Sequence, residues 1–135
     1  MSAVVVDTNI ISYLIKNHTV AQQYRPHLEN RVLVVSFMTV AELDRWAIEH
    51  NWGSTRKQKL ETYLRNYIVH PFDRELCSVW AKIMIERQKK GRRIRCADAW
   101  IAACAVRHDI PLLTHNLRDF DEITGLKIIT ENNKT

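Results

Sequence analysis

Residues 2–14 read SAVVVDTNIISYL, in which a short apolar run ends at Asp7 and helical periodicity begins. Consecutive valines without polar alternation are typical of a strand that is buried on both faces of a sheet. A carboxylate at the junction between such a strand and a helix has two explanations. Asp7 could cap the helix by accepting a hydrogen bond from a free amide of the first turn, or it could be a metal ligand. This stretch alone leaves both explanations open.

The rest of the chain repeats this alternation of short apolar runs and longer helical patterns. The predicted strands are residues 3–6, 32–35, 67–69, 112–114 and 127–129. The predicted helices are residues 10–16, 20–28, 40–49, 55–66, 76–90 and 97–107. Helices of this length between strands indicate an α/β fold of three layers with a mostly parallel sheet. Functional residues in such folds collect beyond the carboxyl ends of the strands.

Length and composition favour a single globular domain. The chain has 135 residues, of which 46% are hydrophobic and 26% charged, and these are ordinary values for one domain. We therefore expect one domain over residues 1–135, with the final stretch ENNKT frayed. No apolar run approaches the roughly 20 residues that cross a bilayer, and no secretory signal is recognisable. The expectation is a cytoplasmic protein without a membrane partner.

Charge and the cysteine and histidine content narrow the function only slightly. The formal net charge of +5 is a weak bias toward polyanionic partners. Cys77, Cys96 and Cys104 form no CxxC pair, and the six histidines form no HxH or HxxxH pair. We therefore predict reduced thiols and no metal site built from histidine or cysteine.

Two further acids each have a structural as well as a functional explanation. Glu42 follows the second predicted strand, but Thr39 and Glu42 also have the S/T-x-x-E spacing of a capping box. Asp98 is the only charged residue in residues 97–106, a helical pattern that is apolar around its whole circumference and therefore buried. A buried carboxylate needs a cation, which either Arg95 or a bound metal could supply.

A fourth acid, Asp119, comes soon after the predicted strand that ends at Thr114. Asn116 and Asp119 could form an Asx-capped turn, which is a structural explanation for both. The acids nevertheless occupy comparable places, and carboxylates that converge in one crevice repel each other unless cations neutralise them. Mg²⁺ and Mn²⁺ prefer such oxygen ligands. Acidic sites of this kind perform metal-assisted cleavage of phosphodiesters.

Four segments together resemble PIN-domain ribonucleases, and among them the VapC-type toxins of bacterial toxin–antitoxin pairs. The segments are VVVDTNIISYL (4–14), SFMTVAELDRWA (36–47), ADAWIAACAVRHDIPLLTHNLRDF (97–120) and GLKII (125–129). The resemblance implies a five-stranded parallel sheet in the order 3-2-1-4-5. It also implies an endoribonuclease that depends on Mg²⁺ or Mn²⁺, forms a homodimer and is inhibited by a small antitoxin protein.

The resemblance also assigns roles to individual residues. It implies that Asp7, Glu42 and Asp98 are the three catalytic acids that bind the metal. Asp119 matches the acid near the fourth position, and Asn116 stands where other members have Asp, so both are expected as further metal ligands. Two small polar residues, Thr8 and Thr114, are expected to support the first acid.

A basic stretch, RQKKGRRIR at residues 87–95, leads directly into the helix of Asp98. Cations near a helix C-terminus are often only a solvated face. Because this stretch adjoins the acids, we predict that it contacts RNA phosphates. The predicted contacts are Lys90, Arg92, Arg93 and Arg95.

Two other functions fit the same sequence. One is a PIN nuclease that acts in RNA maturation or DNA processing without an antitoxin. The other is a non-catalytic module that binds RNA or a protein, in which the acids are only caps and ion pairs. Metal-dependent cleavage separates an enzyme from the module, and growth arrest separates a toxin from a maturation nuclease.

Overall fold

A computed structural model describes residues 2–132 of the chain. Its sheet has five strands, all parallel, in the order β3-β2-β1-β4-β5. The strands are β1 (Ala3–Val6), β2 (Val32–Ser36), β3 (Ile68–His70), β4 (Leu112–Leu113) and β5 (Ile128–Ile129). The predicted fold class and strand order are therefore confirmed, with strand bounds that differ by at most one residue at either end.

Seven helices accompany the sheet within the described residues. They are α1 (Thr8–Ile15), α2 (Ala21–Leu28), α3 (Phe37–Glu49), α4 (Ser54–Arg65), α5 (Arg74–Lys89), α6 (Cys96–His108) and α7 (Leu117–Phe120). Six match the predicted helical patterns. The short helix α7 falls in a stretch for which the sequence predicted only a turn.

The largest difference in bounds is at the start of α3, which begins three residues earlier than the sequence pattern indicates. Ser36 is the N-cap, and its hydroxyl accepts a hydrogen bond from the amide of Met38 at 3.1 Å. Thr39 and Glu42 consequently lie inside the helix, so the capping-box interpretation is wrong. Ser36 is itself the last residue of β2, so the strand passes into the helix without a loop.

The central strand β1 separates two hydrophobic clusters, one on each face of the sheet. Val4 and Val6 pack into a cluster with residues of α1 to α4, whereas Val5 packs into a cluster formed mainly by α5 and α6. All three valines are fully buried. Burial of such a side chain contributes about 1.5–3 kcal/mol, so the consecutive valines hold β1 in the middle of the three layers.

The C-terminal end of the described chain is held against α2. The amide of Glu131 donates to the Tyr24 hydroxyl at 3.1 Å, and His27 Nε2 lies 2.6 Å from Glu131 Oε1. Of the stretch ENNKT that was expected to be frayed, residues 133–135 lie outside the described residues. Between residues 2 and 132, no helix is long and apolar enough to span a bilayer.

Candidate metal centre

The first predicted acid meets a side chain from a neighbouring strand at the carboxyl edge of the sheet. Asp7 follows β1 directly, and Thr114 follows β4, which pairs with β1 in parallel. Thr114 Oγ1 donates to Asp7 Oδ2 at 2.7 Å, and both residues are buried. The Asp7 carboxylate makes no capping hydrogen bond to α1. The structure thus rejects the capping explanation for Asp7 and places Thr114 where a supporting residue was expected.

The second acid is held by a threonine from another helix. Thr8, the first residue of α1, donates its hydroxyl proton to Glu42 Oε1 at 2.8 Å, and its Oγ1 also lies 2.9 Å from Thr39 Oγ1. Thr8 and Thr39 are buried, while Glu42 is partly buried. Because Thr8 is adjacent to Asp7, this contact ties the Glu42 side chain of α3 to the end of β1. Thr8 therefore supports the second acid rather than the first.

The third acid lies in the first turn of α6. Asp98 is 8% exposed, and Arg95, the N-cap residue of the same helix, lies beside it. Arg95 Nε is 4.0 Å from Asp98 Oδ2, and Arg95 Nη2 is 3.3 Å from Glu42 Oε2. The Arg95 side chain is 69% exposed. One solvent-accessible guanidinium therefore lies between two of the predicted metal ligands.

The pKa values show that the acids share one electrostatic environment. The pKa of Asp7 is raised to about 7, mainly by burial. The negative charges of Asp98 and Glu42 contribute to the rise, while the Thr114 hydroxyl and the Thr8 amide oppose it. Burial also raises the pKa of Asp98 to about 6, with Asp119 and Glu42 adding to the rise while Arg95 opposes it. Asp7 and Asp98 therefore resist ionisation mainly because they are buried, and the nearby negative charges add to that effect. A cation bound among them would relieve that repulsion.

The donor set fits a hard divalent cation. The acids that act on one another are Asp7, Glu42, Asp98 and Asp119. All of their ligand atoms are oxygens, and the supporting groups are hydroxyls rather than imidazoles or thiols. Mg²⁺ and Mn²⁺ take such ligands and leave coordination positions for water and phosphate. The residues therefore match the expected metal in chemistry.

The fourth acid lies at the solvent-exposed edge of the acidic centre, here called the rim. Asp119 lies on α7 with an exposed side chain, and its charge raises the pKa of Asp98. Asn116 precedes α7 but makes no side-chain cap, so the Asx-turn explanation is wrong. The backbone amide of Asn116 instead donates to Thr114 Oγ1 at 3.0 Å. Asn116 is thereby connected to Asp7 through the Thr114 hydroxyl.

Arg87, the first residue of the basic stretch 87–95, is buried and holds α7 in place. Arg87 is 3% exposed and donates to the carbonyls of Asp119 and Asp121, each at 3.1 Å, and of Arg92 at 2.8 Å. It lies four residues after Ile83, which follows Leu76 by seven, so Arg87 continues the buried stripe of α5. That spacing was a signal that Arg87 points inward.

The predicted RNA-contacting residues do not form one free surface. Lys90 Nζ donates to the Glu122 carbonyl at 2.8 Å, and Arg92 Nη1 lies 2.6 Å from Asp121 Oδ1 and 2.8 Å from Glu122 Oε2. Both residues hold the loop after α7. Arg93 is exposed and makes no ion pair with any residue from 2 to 132. Of the four predicted contacts, only Arg93 and Arg95 are available without breaking the contacts of that loop, and Arg95 is the one that lies beside two of the acids.

The chain matches one protein family over most of its length. A family model described as PIN domain matches residues 4–126. The chain belongs to the PIN domain family. It is 37% identical over 125 residues to Ribonuclease VapC1 of Haemophilus influenzae strain R2866, a match that covers 90% of this chain and 92% of the relative. Within the PIN domain family, the chain therefore belongs with the VapC ribonucleases.

Solved structures of PIN domain proteins share its architecture. VapBC-1 from nontypeable Haemophilus influenzae matches with a TM-score of 0.76 at 32% identity, covering 95% of this chain and 97% of that chain. VapBC2 from Rickettsia felis, solved bound to a DNA fragment from their promoter, matches with a TM-score of 0.84 over 95% of this chain and 98% of that chain. Its identity is 23%, so that likeness concerns the fold alone. The resemblance read from the sequence is confirmed.

Proposed function

We propose that this PIN domain protein is an endoribonuclease that requires Mg²⁺ or Mn²⁺ and acts as the toxin of a toxin–antitoxin pair. The observation on which the proposal depends is the convergence of Asp7, Glu42 and Asp98, which come from the end of β1, from α3 and from α6. Fixed acids that repel one another are expected where a divalent cation binds. The proposal treats residues 1–135 as one domain that acts in the cytoplasm.

The metal ligands in this proposal are Asp7, Glu42 and Asp98, with Asp119 and Asn116 at the rim as additional oxygen donors. When bound, the cation supplies Lewis acidity toward the phosphate and makes water a better nucleophile. Asp119 is exposed and Asn116 is uncharged, so these two add less to the affinity than the three inner acids.

The neighbouring hydroxyls and cations have separate roles. Thr114 and Thr8 hold the Asp7 and Glu42 carboxylates by hydrogen bonds of 2.7 and 2.8 Å, which fixes the ligand oxygens before the cation binds. Arg95, which is exposed beside the acids, and Arg93, which is exposed two residues before it, contact the phosphates that flank the cleaved bond. Such contacts increase the affinity for RNA without reading its sequence.

The proposed protein partners are a small antitoxin and a second copy of this chain. Similarity to structures titled VapBC supports an antitoxin. The chain also exposes several large apolar side chains, including Phe72 at 68%, Ile48 at 75% and Ile68 at 52%. Apolar side chains mark a protein-binding surface where they form one contiguous patch, so the dimer part of the proposal rests on the resemblance to VapC-type toxins.

Cleavage of RNA by the purified protein tests the enzymatic part. We expect cleavage with Mg²⁺ or Mn²⁺, loss of cleavage with EDTA, and loss of cleavage in Asp98→Asn. Asp44→Asn is the matched control, since Asp44 is an exposed acid of α3, and it should cleave normally. Circular dichroism would establish that both variants are folded. Undiminished cleavage by a folded Asp98→Asn variant would reject the metal centre.

Growth of a bacterial host tests the toxin part. Expression of the protein should arrest growth, Asp98→Asn should not, and co-expression of the small antitoxin encoded beside the gene should restore growth. Normal growth under expression of a protein that cleaves RNA would contradict the toxin role. That result would favour a nuclease of RNA maturation or DNA processing.

A further inference from the structure

A second group of potential metal ligands lies apart from the acids. His70 is the last residue of β3, and Cys104 and His108 lie four residues apart on α6, so both occupy the same face of that helix. The Cys104 sulfur and one nitrogen of each imidazole all lie within 4.8 Å of one another. Three side chains that each provide a soft or borderline donor thus meet between the sheet edge and α6.

We propose that His70, Cys104 and His108 form a Zn²⁺ site that is distinct from the acidic centre. Cysteine sulfur and histidine nitrogen are the preferred protein ligands of zinc, and three such ligands leave one position for water. In a tetrahedral zinc site, ligand atoms lie about 3.5–4 Å apart. The three groups therefore need to move by only about 1 Å, which side-chain rotation can provide.

The arrangement of the two imidazoles supports this assignment. The rings of His70 and His108 have centroids 3.9 Å apart with an interplanar angle of 83°, and no hydrogen bond joins their nitrogens to any residue from 2 to 132. Two imidazoles in such close contact can present their nitrogen lone pairs to one shared cation.

The site is open to solvent on one side. His70 and His108 are partly exposed, while Cys104 is 1% exposed, so an ion enters from the histidine side and meets the sulfur at the bottom. The carboxylate of Asp73 is near enough to act on His108, although Arg107 of α6 also faces this region. Burial raises the pKa of Cys104 to about 12. Coordination therefore releases the thiol proton to solvent, and the bound thiolate offsets part of the ionic charge.

Such a site would connect the edge of the sheet to the helix of Asp98. Strand β3 has three residues, pairs only with β2 and exposes Ile68 and Val69. A shared metal would fix this strand to α6, so bound zinc should raise the unfolding temperature. This role does not depend on whether the acidic centre cleaves RNA.

The spacing of the histidines along the chain does not reveal this site. A search for HxxxH spacing overlooks Cys104-x-x-x-His108, which has the same helical separation but a different first ligand. The third ligand, His70, comes from a distant strand. Only the packing of β3 against α6 brings it to the other two.

Cobalt binding tests the proposal, because Co²⁺ takes zinc ligands and reports thiolate coordination by its absorption. We expect metal-free protein in excess Mg²⁺ to bind about one equivalent of Co²⁺ with a thiolate-to-cobalt charge-transfer band, and Zn²⁺ to displace it. Zn²⁺ should raise the unfolding temperature. Cys104→Ala should abolish the band, and His70→Gln should abolish the zinc-dependent rise in unfolding temperature.

Matched controls separate this site from other cysteines, other histidines and the acids. Cys77→Ala, His50→Gln and Asp98→Asn should each retain the band and the rise in unfolding temperature. Absence of the band in the unmodified protein, or its persistence in Cys104→Ala, would overturn the proposal. If Cys104→Ala does not fold, His70→Gln decides, since His70 is partly exposed: an undiminished zinc effect in that variant would also overturn it.

Discussion

Arg95 lies between Glu42 and Asp98, two acids from different helices, with Nη2 3.3 Å from Glu42 Oε2 and Nε 4.0 Å from Asp98 Oδ2. Its charge is among the causes that hold down the pKa of Asp98. In the absence of a metal, this guanidinium therefore provides part of the positive charge that the acids require. The same exposed group is one of the proposed RNA contacts.

We predict that Arg95→Gln tightens metal binding and weakens RNA binding. Removal of a competing cation should lower the Kd for Mn²⁺ about 2- to 5-fold, since an exposed ion pair contributes about 0.2–1 kcal/mol. Titration calorimetry without RNA would measure this change. The control is Arg93→Gln, which removes another exposed charge that has no acidic partner among the described residues and should change Mn²⁺ affinity less. Weaker Mn²⁺ binding in Arg95→Gln would contradict the prediction.

We predict that Asp7→Asn stabilises the metal-free protein above neutral pH. The pKa of Asp7 rises from 3.8 to about 7 on folding, so the folded protein must give up a proton at high pH that the unfolded chain has already lost. The acid therefore opposes folding increasingly as pH rises from about 4 to 7, by up to about 4 kcal/mol. Asparagine removes this pH dependence and can still accept from Thr114.

Urea unfolding in EDTA at about pH 5 and pH 8 would measure the effect. Asp7→Asn should increase the free energy of unfolding more at the higher pH, while Asp44→Asn should change it little at either pH. If Asp7→Asn were less stable than the unmodified protein at the higher pH, the folded protein would stabilise the ionised Asp7 carboxylate without a metal, and the prediction would be wrong.

We predict that Thr114→Val lowers nuclease activity and that Thr114→Ser largely retains it. The Thr114 hydroxyl donates to Asp7 and accepts from the Asn116 amide, so valine removes both hydrogen bonds while keeping the volume. Loss of a group that orients a metal ligand typically reduces metal affinity or activity 10- to 100-fold. Cleavage rates measured across a range of Mg²⁺ concentrations would distinguish weaker metal binding from unfolding. Equal activity of the valine and serine variants would exclude this role.

We predict that Arg87→Met destabilises the protein by about 1.5–3 kcal/mol. Arg87 is buried and donates to three partly exposed carbonyls, and hydrogen bonds from a charged donor contribute about 1.5–3 kcal/mol. Arg45→Met is the matched control, because Arg45 makes only an exposed ion pair with Glu49 four residues away, and its loss should cost less than about 0.5 kcal/mol. Similar midpoints of urea unfolding for the two variants would contradict the anchoring role of Arg87.

Local sequence was sufficient to predict the central sheet and most helices. The valines of β1 and β2, the periodic apolar residues of α5 and the continuously apolar residues of α6 specify their elements within windows of a few residues. The positions of Asp7, Glu42 and Asp98 after strands, or at the start of a buried helix, also indicated which acids would converge. The resemblance to PIN-domain proteins supplied the strand order, which local patterns do not contain.

Tertiary structure alone decided which groups those side chains contact. Thr8 reaches Glu42 rather than Asp7, Arg87 turns inward to hold α7, and Arg95 lies between two acids. Each of these contacts joins residues far apart in the chain or depends on which face of a helix is covered. Hydrophobic patterns repeat every few residues, so they can be recognised in a short window of sequence. The partner of a polar side chain depends instead on how whole helices pack.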